Sequence, residues 1–199
     1  MLISPRHFID RLRHPRSRAD ELASLRARFA AQPNRRQATT EQRGLATELR
    51  QLRCQLHDAL QRVRSCGHCA KGHPLPAGRW NGGHCCSGKT LDLFTPDEVG
   101  ALKLSGTSAT TLCPPKSDHA GCSFRGPTGC SLEPADRPNI CVRYICGELR
   151  QELRGGPEHQ QIASLSKALA ETFQRFVASR QAAEVRSLMG SVMESDGDQ

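Results

Sequence analysis

The sequence predicts a mainly α fold of irregular build, with amphipathic helices on either side of a loop-rich, cysteine-dense centre that carries short strands. Three observations lead there. Apolar residues recur at steps of three and four before residue 64 and again after residue 156. Residues 66–147 hold nine of the ten cysteines, 12 of the 17 glycines and 8 of the 12 prolines. In those 82 residues only 15 side chains are large and apolar, so the centre buries too little surface to offset its chain entropy unaided. Structural zinc contributes on the order of 10–16 kcal/mol of apparent binding energy, enough to make up such a shortfall. The expectation is a metal-stapled cysteine cluster, organised as a basic helical arm (1–64), a cysteine-cluster domain (65–154), a C-terminal amphipathic helix (155–191) and a disordered tail (192–199).

The flanks read in order. Residues 17–31 place Ala19, Leu22, Leu25 and Phe29 at helical spacing and stop at Pro33. Thr39 or Thr40 caps a longer helix whose stripe runs Leu45, Leu49, Leu52, Leu56, Leu60 and Val63, with Arg43, Arg50, Arg53, Arg62 and Arg64 placed off it. That stripe is expected to pack within its own domain, being too short for a convincing coiled coil. Inside the centre, Thr90 to Leu93 alternates like a short strand. Thr95-Pro96-Asp97-Glu98 then opens a helix with a capping box and ends it near Gly106. Another helix opens at Pro138 and carries Cys141, Val142, Tyr144 and Ile145. After the Gly155-Gly156-Pro157 break, Ile162, Leu165, Leu169, Phe173, Phe176 and Val177 form one face of a helix reaching about Met189.

The formal net charge is +8, and all of the surplus lies in residues 1–64, where 14 arginines face 6 acids. A basic arm suits an acidic partner, so a protein partner is expected there. Nucleic acid has less support, because Phe8 and Phe29 are the arm's only aromatics and base stacking needs more. Asp10 and Arg11 interrupt any secretory apolar stretch, and no apolar run is long enough to span a membrane. A cytoplasmic setting follows as the expectation, and there ten cysteines point to metal rather than disulfides.

The candidate metal ligands are Cys66, Cys69, Cys85, Cys86, Cys122, Cys130, Cys141 and Cys146. A C-x-x-C turn brings Cys66 and Cys69 to one side of the chain. Cys85 and Cys86 are adjacent, and neighbours in an extended chain point to opposite faces, which suits two sites better than one. Eight thiols match two Cys₄ sites, or one iron–sulfur cluster with thiols to spare. Thiolates accept zinc and iron alike. Cys54 reads as a bystander, and Cys113 falls outside the spacing. His68, His73, His84 and His119 are not needed as ligands beside eight thiols. Arg137 is expected beside the thiolates, compensating their charge, and Trp80 and Tyr144 are expected in the core.

Taken together these motifs resemble the YkgJ-type cysteine-cluster family, described as a zinc- or iron-chelating domain. The likeness runs over about 66–147. It comprises Cys66-x-x-Cys69 with Cys85-Cys86, Leu93-Phe94-Thr95-Pro96-Asp97-Glu98-Val99, Gly121-Cys122-Ser123-Phe124, Gly129-Cys130-Ser131-Leu132 and Arg137-Pro138-x-x-Cys141-x-Arg143-Tyr144. The chain departs from the family in the fifteen residues between Cys69 and Cys85. The resemblance implies a metal-binding protein with zinc or iron as cofactor. A similar cluster in flagellin lysine methylases implies an alternative, an iron–sulfur enzyme of redox or methyltransferase-like type. A zinc protein associated with nucleic acid through its basic arm is the third reading. No catalytic or cofactor-cradling motif accompanies the cysteines: a Gly-rich phosphate turn, a Ser/His/Asp set and paired carboxylates are all missing.

Overall fold

The computed structural model describes residues 17–64, 89–115, 122–126 and 129–195, together with Leu12. The fold is mainly helical, as expected. Helix α1 (Arg18–Ala31) and helix α2 (Thr40–Gln61) come first, then a single turn α3 (Thr90–Leu93) and helix α4 (Pro96–Leu104). Two-residue strands β1 (Arg125–Gly126) and β2 (Gly129–Cys130) pair antiparallel, with Arg125 opposite Cys130. A 3₁₀ turn at Pro134–Asp136 leads to α5 (Asn139–Arg143), α6 (Gly147–Leu153) and the long α7 (Glu158–Ser195).

The caps explain the starts. Ser17 accepts the Asp20 N–H, and Thr39 forms a reciprocal capping box with Gln42, with bonds of 3.1 Å each way. At the other end of α4, Gly106 takes φ 104°, a left-handed conformation that a side chain would resist.

Two apolar cores result. In the first, the predicted stripe of α2 meets Ile162, Leu169 and Phe176 of α7, with Val142, Leu149 and Leu153 filling one end. In the second, Leu22, Leu25 and Phe29 of α1 pack on Phe94, Leu112, Phe124 and Leu132. Helix α4 serves both: Ala101 and Leu104 face the first core, Val99 and Leu102 the second. The arm helices are thus packed into the chain, the internal role expected for the leucine stripe. Among the described residues no helix is long and apolar enough to cross a membrane.

Five expectations are corrected. Thr90–Leu93 is a helical turn, not a strand; Phe94 N–H closes it on the Thr90 carbonyl at 2.9 Å. Two leucines flanking one aspartate are too short a pattern to separate the two periods. Arg53 is fully buried rather than off the stripe. It stands four residues after Leu49 and three before Leu56, so it shares their face, and Leu52 is the one pushed to its edge. Glu98 does not complete a capping box on Thr95. The Thr95 hydroxyl accepts the Glu98 N–H at 3.3 Å, but the carboxylate turns away to α5. Tyr144 lies past the end of α5 and is 44% exposed, not in the core. Finally, α7 continues through Ser195, into the segment read as a tail, because no residue there is a strong enough breaker to stop it.

Candidate functional site

Of the eight candidate ligands, Cys66, Cys69, Cys85 and Cys86 lie outside the described residues, as do His68, His73, His84, His119 and Trp80. The remaining four are placed. Cys122 is buried at the edge of the second core, and Cys130 is partly buried against that same core at the end of β2. The two are near enough that charge on one sulfur disfavours charge on the other. Cys141 sits on α5, and Cys146 caps α6 from the border of the first core. Among the described residues no group of three metal-capable side chains converges.

Cys122 is the most closely held. Burial pushes its thiol up to about 12, against the opposing pull of the Phe124 N–H and the Thr90 hydroxyl, both in hydrogen-bonding reach of the sulfur. A buried sulfur surrounded by N–H and O–H donors is a neutral thiol on its own and a well-supported thiolate when a cation shares it. Cys146 has a similar arrangement, its sulfur accepting the Leu149 N–H at 3.4 Å. The donor set therefore fits a thiophilic ion.

The residues around Cys122 were not legible as a group. Thr90 and Ser123 are both fully buried. Thr90 Oγ1 donates to Ser123 Oγ at 2.9 Å and accepts the Ser123 N–H at 2.9 Å. Glu21 of α1 reaches in to accept the Thr90 N–H at 3.0 Å. Arg18 of α1 donates to the Ser123 and Arg125 carbonyls. The Phe94 and Phe124 rings close the floor, 5.3 Å apart and tilted by 50°.

The other placed residues fall elsewhere. Cys54 is half-buried on α2. Cys113 is exposed, its thiol donating to the Thr110 carbonyl at 3.0 Å. Arg137 donates from Nε to the Leu132 carbonyl at 2.8 Å, and its Nη1 lies 3.5 Å from His57 Nδ1. Arg143 donates to Ser166 Oγ at 3.3 Å.

The arm's charge has a specific use. Arg28 donates to the Leu91 and Phe94 carbonyls at 2.8 and 2.5 Å, Arg53 to the Ala135 carbonyl at 2.7 Å, and Arg43 to the Arg35 and Ala38 carbonyls. With Arg18, these arginines bind carbonyls inside the chain, three of them in the segment that bears the cysteines. Irregular loops leave carbonyls without ladder partners, and guanidinium forks supply the missing donors.

No family model, no curated protein and no solved structure matches the chain.

Proposed function

We propose that the chain is a metal-binding protein that chelates zinc or iron through Cys66, Cys69, Cys85, Cys86, Cys122, Cys130, Cys141 and Cys146, in the manner of the YkgJ-type proteins it resembles. One observation carries the reading: Cys122 is a buried sulfur beside Cys130, with an N–H and an O–H donor within reach. A thiol used only to fill space needs no such donors. Zinc is the favoured metal, as eight thiols complete two closed Cys₄ sites, and the cluster is structural rather than catalytic. The arm's arginines bind carbonyls of the cysteine segment, which supports an internal role for them ahead of nucleic-acid binding.

The test is metal analysis of protein purified without oxygen. Close to two zinc ions per chain and a colourless solution are expected. A brown preparation with acid-labile sulfide, bleached by dithionite, would replace zinc by an iron–sulfur cluster and favour the enzyme reading. Protein that carries no metal and takes up none under reducing conditions would end the proposal.

A further inference from the structure

Helix α1 belongs to the arm by sequence, yet it touches the surroundings of Cys122 at two points. Glu21, itself buried, accepts the Thr90 backbone N–H at 3.0 Å. Arg18 binds the carbonyls of Ser123 and Arg125, on either side of Phe124. Between these grips lies a closed polar unit. The Thr90 hydroxyl accepts from the Ser123 N–H, exchanges a hydrogen bond with the Ser123 hydroxyl and reaches the Cys122 sulfur. Thr90 and Ser123 are fully buried, so water offers no substitute partners.

The hydroxyl has one proton and two acceptor positions, and this decides what the unit can do. A neutral Cys122 thiol can donate its proton to Thr90 Oγ1. A metal-bound thiolate has no proton and must accept. Thr90 can then turn its own proton to sulfur while the Ser123 hydroxyl donates back to Thr90, with no heavy atom moving. Valine at position 90 has the same shape and could do neither.

We propose that Glu21 and Thr90 are positioning residues for Cys122, so that metal binding at Cys122 and docking of α1 are coupled. This rests on the metal-binding reading above. By linkage, whatever factor docking adds to metal affinity, bound metal adds to docking. The coupled element is the arm itself: losing the ion loosens α1 from the second core, and refilling the site restores it.

The experiment uses the full chain in two arms. In the first, Thr90→Val and Thr90→Ser are compared with wild type by zinc competition and by the thiolate-to-cobalt absorption of the Co²⁺-loaded protein. Thr90→Val should weaken metal affinity by about 10- to 100-fold, the range for lost outer-shell partners, and shift the cobalt band. Thr90→Ser should restore both. In the second arm, amide hydrogen exchange of wild type is followed before and after chelation. Protection should fall in α1 well before it falls in α7. Wild-type metal affinity and spectrum in a folded Thr90→Val protein would overturn the inference and leave the metal reading intact. So would α1 exchange that ignores chelation, a result that decides the matter even if Thr90→Val does not fold. Wild type that takes up neither zinc nor cobalt would remove both proposals together.

Discussion

Glu98 of α4 accepts the Asn139 backbone N–H with both carboxylate oxygens, each at 3.1 Å, and so caps α5 from outside that helix. The Ile140 N–H adds to the same carboxyl. Helix α5 carries Cys141 and starts at Pro138, which has no capping side chain of its own. A buried acid from a neighbouring helix fills that role, at the position where the positive end of the peptide dipoles favours an anion. Burial nevertheless pushes the Glu98 carboxyl up to about 7, because desolvation outweighs the two N–H donors and the nearby Arg53 cation.

The pH dependence follows from that shift. The folded-state pKa lies above the ordinary 4.5, so the folded chain holds a proton that the unfolded chain releases. The contribution from Glu98 is full below pH 4.5 and is lost as pH rises to about 7, by roughly 2–3 kcal/mol. His57 is shifted down by burial and by Arg137, and it acts in the opposite sense as pH falls below 6.5. Comparison with Glu98→Gln separates the two. Denaturant unfolding at pH 5 and pH 7.5 should show a stability difference in wild type that is reduced in the variant. Equal pH slopes would show that Glu98 ionises freely.

Arg53 offers a second test. It is fully buried, donates to the Ala135 carbonyl and faces Glu98, and burial lowers it to about 10, which still leaves it a cation at neutral pH. Arg53→Met should destabilise the chain by about 3–5 kcal/mol, since it strands both a buried carbonyl and a buried acid. Arg53→Met combined with Glu98→Gln should cost less than the two single changes summed, because the second removes the charge that the first leaves exposed to an apolar surround. Strict additivity in urea unfolding would mean the pair does not interact.

Much of the helical fold was legible because apolar spacing reports burial directly. Leu45, Leu49, Leu56 and Leu60 were placed correctly on one face, as were Ile162, Leu169 and Phe176. Caps at Ser17 and Thr39 follow from side-chain chemistry at a fixed offset. Polar residues were harder. Arg53 and Glu98 look like surface charges until the chain brings α2, α4 and α5 together, and nothing local in the sequence does that. The spacing of Arg53 from Leu49 and Leu56 was the available signal. Thr90, Ser123 and Glu21 gave none, since their meeting depends on chain separations of 33 and 69 residues. At the site, Cys122 and Cys130 meet on one core as their shared motif order suggested.

The arginine grips predict a division among the arm's basic residues. Arg28 reaches two carbonyls across the chain, while Arg36 is exposed. Arg28→Ala should lower stability by about 1–3 kcal/mol, because two carbonyls lose a charged donor. Arg36→Ala should stay within about 0.5 kcal/mol, as surface changes usually do. Thermal unfolding of the two variants at one salt concentration checks this. Equal shifts would return the arm's charge to an undifferentiated surface.

Metal removal is the broadest prediction. A ligand that binds only the folded chain stabilises it in proportion to the logarithm of its excess over the dissociation constant, so chelation must lower Tm if the cysteines hold an ion. The fall should be large, because the cysteine-bearing segment has few apolar residues and its described part leans on the second core through Phe94, Phe124 and Leu132. The cysteines should also divide. Cys122→Ser and Cys141→Ser should reduce bound metal clearly, with Cys69→Ser and Cys85→Ser alongside them. Cys54→Ser should leave it unchanged, since Cys54 lies on α2 among the arm's own residues. Cys113→Ser should do the same, because that thiol is exposed and already donates to the Thr110 carbonyl. Metal content per chain, measured on folded variants purified without oxygen, decides between these groups. Uniform losses across all six positions would mean that general unfolding, not ligation, controls the metal, and a Tm that ignores chelation would mean that the cores α1 and α7 build are sufficient without it.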